Sequence, residues 1–145
     1  MNQNRVHAFY KAQHVREPDV IDSVEGVDAM IDSLAFGEEF ESMAVLHSQQ
    51  RGLLPSGFPD HEFMVGVNGK RQVGILSFTD DANYLSLGSR PNGEGEVTYH
   101  IAENPTEFPV SAEIPLSLVR DAAREFLLSG GRRPVCVEWQ DEPEV

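Results

Sequence analysis

Residues able to do chemistry are few in this chain, and their spacing does not bring them together. There is one cysteine, Cys136, so neither a cysteine pair nor a disulfide framework can form within the chain. A zinc-dependent deaminase needs a His-x-Glu and a Pro-Cys-x-x-Cys, and Pro134-Val135-Cys136 lacks the second cysteine. His100 and Glu103 have His-x-x-Glu spacing, but on a strand that spacing sends them to opposite faces. Asp60, His61 and Glu62 are adjacent in a loop-like stretch, and three neighbours rarely converge on one ion. His7 and His14 sit singly near a first strand and read as ordinary structural residues. Gly93-Glu94-Gly95 falls between two strand-like runs, so it reads as a turn and not a phosphate cradle. Cys136 lies between Val135 and Val137, which argues for packing over nucleophilic attack. No cofactor, metal site or catalytic set is expected, and the chain reads as a binding protein rather than an enzyme.

Charge says more about what is bound. The chain has 24 acidic against 11 basic residues, a formal net charge of -13. Nucleic-acid binding rests on a basic surface that releases counterions, so the sign here is wrong for it. An acidic surface attracts basic proteins, although solubility alone also accounts for such a charge. The carboxylates concentrate at expected turns: Asp80 and Asp81, Glu94 and Glu96, Glu103 and Glu107, and the tail Asp141, Glu142 and Glu144. The six turn residues from Asp80 to Glu107 are the candidate partner contacts, provided the turns share one end of a sheet. Glu38, Glu39 and Glu41 read as a solvated loop. The N-terminal residues lack the pattern of a secretory signal, and no apolar run approaches the roughly 20 residues that span a bilayer. With a single cysteine, the expected location is the cytoplasm, away from membranes.

The elements that position these groups can be read from periodicity. Val6 to Gln13 reads as a first strand. An Asp22/Glu25 capping pair opens a helix to about Leu34, with Val24, Val27, Ile31 and Leu34 on one face and Gly37 as its end. Met43 to Leu46 is a short strand, and Gln49 to Asp60 is a loop by its density of Gly and Pro. Phe63 to Val67 and Arg71 to Phe78 form a hairpin about Asn68-Gly69, read as a type I′ turn. Tyr84 to Ser89 and Glu96 to Ala102 are further strands, the latter with Val97, Tyr99 and Ile101 on one side. Glu103 to Pro109 is irregular. Leu116, Val119, Ala123, Phe126 and Leu127 share a face of a second helix, which Pro115 starts and Gly130-Gly131 stops. Val135, Val137 and Trp139 then alternate as a strand, and Phe126, Leu127, Tyr99 and Trp139 are the expected core residues. The order implies a single α+β domain over residues 1–145. Its antiparallel sheet is a meander of hairpins with two α-helices packed on one face.

The same strands and closing helix carry a resemblance. Val73 to Phe78 (VGILSF), Tyr84 to Gly88 (YLSLG), Val97 to His100 (VTYH), Phe108-Pro109 and Glu113-Ile114-Pro115 come in order. Glu125-Phe126-Leu127, Ser129-Gly130, Arg133-Pro134, Val137 and Trp139-Gln140 follow. Together they resemble family one of the immunity proteins (Imm-one) of bacterial polymorphic toxin systems. The likeness covers roughly Val65 to Gln140. It implies an α+β fold with a characteristic tryptophan, here Trp139. It also implies a role in neutralising a toxin encoded beside the chain, usually a deaminase, including the class that converts cytosine to uracil in double-stranded DNA, by occluding its active site. A basic deaminase groove would suit the acidic excess. The competing reading is a small-molecule or regulatory binding domain without a toxin partner.

Overall fold

A computed structural model describes residues 4–89 and 94–141. Ten strands and two helices follow in the order β1 (Val6–Phe9), β2 (Asp19–Ile21), α1 (Val24–Phe36), β3 (Met43–Ser48), β4 (Glu62–Asn68), β5 (Val73–Thr79), β6 (Asn83–Ser86), β7 (Glu96–Ile101), β8 (Asn104–Pro109), β9 (Ile114–Pro115), α2 (Leu116–Leu128) and β10 (Trp139–Asp141). The fold is α+β. The main sheet runs β10-β6-β5-β4-β3-β1-β2, with β9 paired to β5. All its pairings are antiparallel.

Both helices cover one face of this sheet. Val27, Met30, Ile31 and Leu34 of α1, and Leu116, Val119, Ala122, Ala123, Phe126 and Leu127 of α2, share a core with Phe63, Val65 and Val67 of β4 and Leu76 and Phe78 of β5. Apolar burial of this kind is the main favourable term in folding. Between the helices, Arg120 pairs with Asp28 and Asp32, and Arg124 with Asp28. Arg120 and Arg124 therefore fasten the helices side by side and do not simply face water.

A third layer was not legible beforehand. β7 and β8 form a separate two-stranded ribbon on the other face of the sheet. Tyr99 and Phe108 of the ribbon join Met43, Ile75, Leu85 and Ala112 in a second core. A Cβ on Gly66 would stand 2.9 Å from the Tyr99 ring, so that glycine is what lets the ribbon lie flat. The buried Tyr99 hydroxyl donates to Glu113 at 2.8 Å, and Glu113 holds Arg71 through two hydrogen bonds.

Several local expectations are corrected. Ser23, not Asp22, caps α1, its hydroxyl accepting from the Gly26 amide at 3.1 Å. The first strand ends at Phe9, and a short 3-10 turn over Ala12–Val15 follows. The β4–β5 connection is not a two-residue Asn-Gly turn. Asn68 pairs with Val73 across a four-residue loop in which Gln72 carries the positive φ of 57°. Glu103 to Pro109 is not irregular, since Asn104–Pro109 is β8. Only Trp139–Asp141 pairs as a closing strand; Val135 is 87% exposed and Cys136 is also exposed. Trp139 is partly buried at the margin of the helix-side core, whereas Phe126, Leu127 and Tyr99 are fully inside.

Candidate partner-binding surface

Strand register decides where the expected acidic contacts lie. Four of the six are on the ribbon segment. Glu96 and Glu107 stand on its outer face, one pair apart, because Thr98 is opposite Glu107 and Glu96 opposite Pro109. The hydrogen bond and charge of Glu107 raise the Glu96 carboxyl above its ordinary value, the sign of two acids close together. Glu94 precedes them in the chain, and Glu103 sits at the β7–β8 turn; all four side chains face water. Ala102 and Glu103 both have positive φ, 44° and 74°, a conformation that neither residue type favours. That turn is held from outside: the Glu103 amide donates to the Phe40 carbonyl at 2.9 Å, and Ser42 bonds His100 by backbone and side chain.

Near the same turn, the segment after α1 presents Glu38, Glu39 and Glu41. Phe36 and Phe40 are 81% and 51% exposed, and Phe40 meets the His100 ring edge-on. Glu38 and Glu39 line a cleft with Ser42, Lys70 and Thr98, of about 220 Å³. This is smaller than the ~300–1,000 Å³ of ordinary small-molecule sites. The acidic run read as bare loop thus edges a concavity.

Asp80 and Asp81 lie elsewhere. The β5–β6 turn follows Thr79, which pairs with Glu62, while the ribbon turn is tied to Ser42 and so to Val67 at the far end of β4. Five residue steps along β5, from Thr79 to Gly74 opposite Val67, separate the two ends, roughly 17 Å at the usual rise. The Asp80-Asp81 turn and the Glu103 turn therefore do not share one patch. Asp80 is also occupied. Its Oδ1 accepts the Asp81 amide at 2.6 Å, and its Oδ2 faces Arg51 at 3.8 Å. Burial works to raise the Asp80 carboxyl, but the bonds from Asp81 and Ala82 and the charge of Arg51 carry it below the usual range. Asp81 is exposed. Of the expected acidic tail, Asp141 ends β10, and Glu142 and Glu144 lie outside the described residues.

Arg51 gathers this end of the molecule. Its Nε pairs with Asp60 at 3.0 Å, and its Nη1 donates to the Gly131 carbonyl at 3.0 Å. Asp60 in turn bonds Nδ1 of His61 at 2.9 Å, and His61 Nε2 accepts the Ser48 amide at 2.7 Å. An accepting Nε2 fixes the neutral ring with its proton on Nδ1. Burial lowers the His61 pKa, in keeping with that state. With both nitrogens committed, the His61 ring has no lone pair to offer a cation. No group of three metal-ligating side chains converges among the described residues. The Cys136 thiol is pushed up to about 11 by desolvation and by Glu125, so it stays protonated at neutral pH and is a poor nucleophile.

Between Arg51 and Asp60 the chain makes a projecting loop that sequence reasoning identified only as irregular. Leu53, Leu54 and Phe58 are 67%, 49% and 70% exposed there. Its apolar side chains gave no advance sign of pointing outward.

No helix among the described residues is long and apolar enough to cross a membrane. The family model described as immunity protein Imm1 matches residues 16–141, from before β2 to the end of β10. That span reaches further toward the N-terminus than the strand and helix motifs alone. The search of curated proteins returned no match.

Proposed function

The chain belongs to the immunity protein Imm1 family, and on that premise we propose that it binds a cognate toxin and blocks that toxin's active site without catalysing a reaction itself. The toxin is a nucleic-acid-modifying deaminase, with cytosine in DNA as its target, and the encounter takes place in the cytoplasm. The observation that carries this reading is the acidic ribbon surface, whose carboxylates have no ion pair among the described residues. Glu94, Glu96, Glu103 and Glu107 are exposed along one ribbon segment, while Arg51, Arg71, Arg120 and Arg124 are engaged in ion pairs. Such a surface repels phosphate and suits the basic groove that a DNA-modifying enzyme must have. Asp81 adds a further exposed carboxylate at the other end. The cleft beside Glu38 and Glu39, at about 220 Å³, is smaller than an ordinary small-molecule site.

The test uses the toxin domain encoded beside this chain's gene and a cytosine-containing DNA duplex. Deaminase activity should fall to background at a one-to-one ratio of the two proteins. A toxin that is bound yet fully active would remove occlusion. A bound toxin with no deaminase activity of its own would remove the assigned target.

A further inference from the structure

The loop between β3 and β4 is built to protrude. Residues 52–58 are all exposed, and a Cβ on Gly52 or Gly57 would meet nothing within 4 Å. The tip is nonetheless ordered by its own hydrogen bonds. Leu54 donates to the Phe58 carbonyl at 2.7 Å, and Gly57, at φ 90°, donates to Leu54 at 2.8 Å. Leu53 bridges to Pro59, and Asp60 donates to Gly52. Below this small hairpin, Arg51 ties the base to Asp60, Asp80 and Gly131. Leu53, Leu54 and Phe58 are thereby held in water at a tip where residues 52–59 carry no charge, within a chain of net charge -13. Apolar groups presented this way mark contact surfaces, and a loop ordered in advance loses little entropy on binding.

From this shape and chemistry we infer that the 52–59 loop is the anchor of the toxin contact, its Phe58 and Leu53 entering the apolar base-accepting pocket of the toxin. The inference rests on the immunity reading above and adds its point of attachment. An active-site cleft is concave and needs a convex complement. The 52–59 loop is convex, whereas the acidic end beside Glu38 and Glu39 is itself a cleft. A deaminase pocket holds a flipped base between apolar and aromatic walls, which an uncharged phenyl ring can occupy. A second copy of this chain fits poorly. Two bodies of charge -13 repel, and three side chains cannot supply the roughly 800 Å² per partner of a stable dimer. Against a toxin, the loop needs only to be the desolvated centre of a wider contact that takes in neighbouring Asp81.

The experiment compares the unaltered chain with a Leu53→Ser, Phe58→Ser double variant, binding each to the adjacent gene's toxin domain and following both rates. The variant should keep its thermal midpoint, because both side chains are exposed. Its dissociation should quicken by about tenfold or more with association changed by less than about twofold. Binding by the unaltered chain with an equal dissociation rate for the variant would overturn the anchor and leave the immunity reading standing. Absence of binding by the unaltered chain would overturn both. A dimer in sedimentation that the double variant abolishes would reassign the loop to self-association.

Discussion

Two aromatic substitutions discriminate the core from its margin. Phe126 is completely buried on α2, with its ring centroid 4.7 Å from Phe63, 5.8 Å from His61 and 6.3 Å from Phe78. Truncation to alanine removes contacts that no neighbour can replace, a loss of about 3–5 kcal/mol. Trp139 has less to lose. It is partly buried on the edge strand β10, with Phe78 at 6.5 Å and the Arg133 guanidinium at 6.0 Å. Its indole N–H donates to the Pro134 carbonyl at 2.7 Å. About half the aromatic burial term, or ~2 kcal/mol, plus ~1 kcal/mol for the hydrogen bond gives about 3 kcal/mol at most. In a chain of this size each kcal/mol moves the midpoint by about 4 °C. Circular dichroism melts should therefore show Phe126→Ala lowering the midpoint by about 12–20 °C, and Trp139→Ala by about 8–12 °C. Trp139→Phe, which keeps a ring and loses the donor, should fall between Trp139→Ala and the unaltered chain. A Trp139→Ala midpoint lower than that of Phe126→Ala would refute the placement of Trp139 at the margin.

Other outcomes follow from the same structure. Charge reversal at Glu96 with Glu107, or at Glu94 with Glu103, should slow association with the toxin domain several-fold at low salt and much less above ~0.15 M, where screening sets in at roughly 8 Å; rates indifferent to both salt and reversal would remove the electrostatic role of the ribbon. Burial, aided by His61 and His7, lowers His47 to about 4, and burial also lowers His61. The unfolded chain then binds protons that the folded chain refuses, so stability is full above about pH 6.5 and falls as pH drops toward 4. Urea midpoints should show up to about 2 kcal/mol lost between pH 7 and 5, and His47→Gln should flatten that slope. A Cβ at Gly69 would stand 2.1 Å from the Ala35 carbonyl, so Gly69→Ala should cost on the order of 1–3 kcal/mol by denaturant titration, whereas Gly52→Ala, with open space around it, should be nearly silent. Incubation with a chelator should leave the melting curve unchanged.

The helices were legible because their signals are local. A capping pair or a Pro at the start, a stripe at spacings of three and four, and a glycine after the last turn all lie within one window of sequence; the cap of α1 moved by one residue, from Asp22 to Ser23, and Gly130 and Gly131 do carry the positive φ their place implies. Turn chemistry was less faithful. Asn68-Gly69 is the dipeptide of a type I′ turn, yet the β4–β5 loop is longer, because Gly69 is needed for its close approach to Ala35 and not for its φ. The two-residue turn with both φ positive occurs instead at Ala102-Glu103, where no residue announces it and Phe40 and Ser42 hold it in place. Pro105 and Pro109 made β8 read as irregular, although proline is tolerated on a strand with one open edge. In each case a contact distant in sequence outweighed the local preference.

That dependence on distant contacts also explains why composition disclosed the sign of the surface but not its division. Carboxylates can be counted from sequence, whereas their grouping follows from register, which put Glu96 and Glu107 on one face and Asp80 in the grip of Arg51. Exposed charge acts over roughly a Debye length and need not touch a partner to draw it in. A desolvated contact must touch, and the chain keeps its uncharged apolar tip away from the ribbon turn. On the proposed reading, attraction and retention therefore fall to separate parts of the molecule. Rate measurements on ribbon and loop variants of the same complex separate them: reversal in the ribbon should act on association and truncation in the loop on dissociation. Effects that mixed both rates equally at both sites would mean a single contact surface, with the two ends meeting the toxin together.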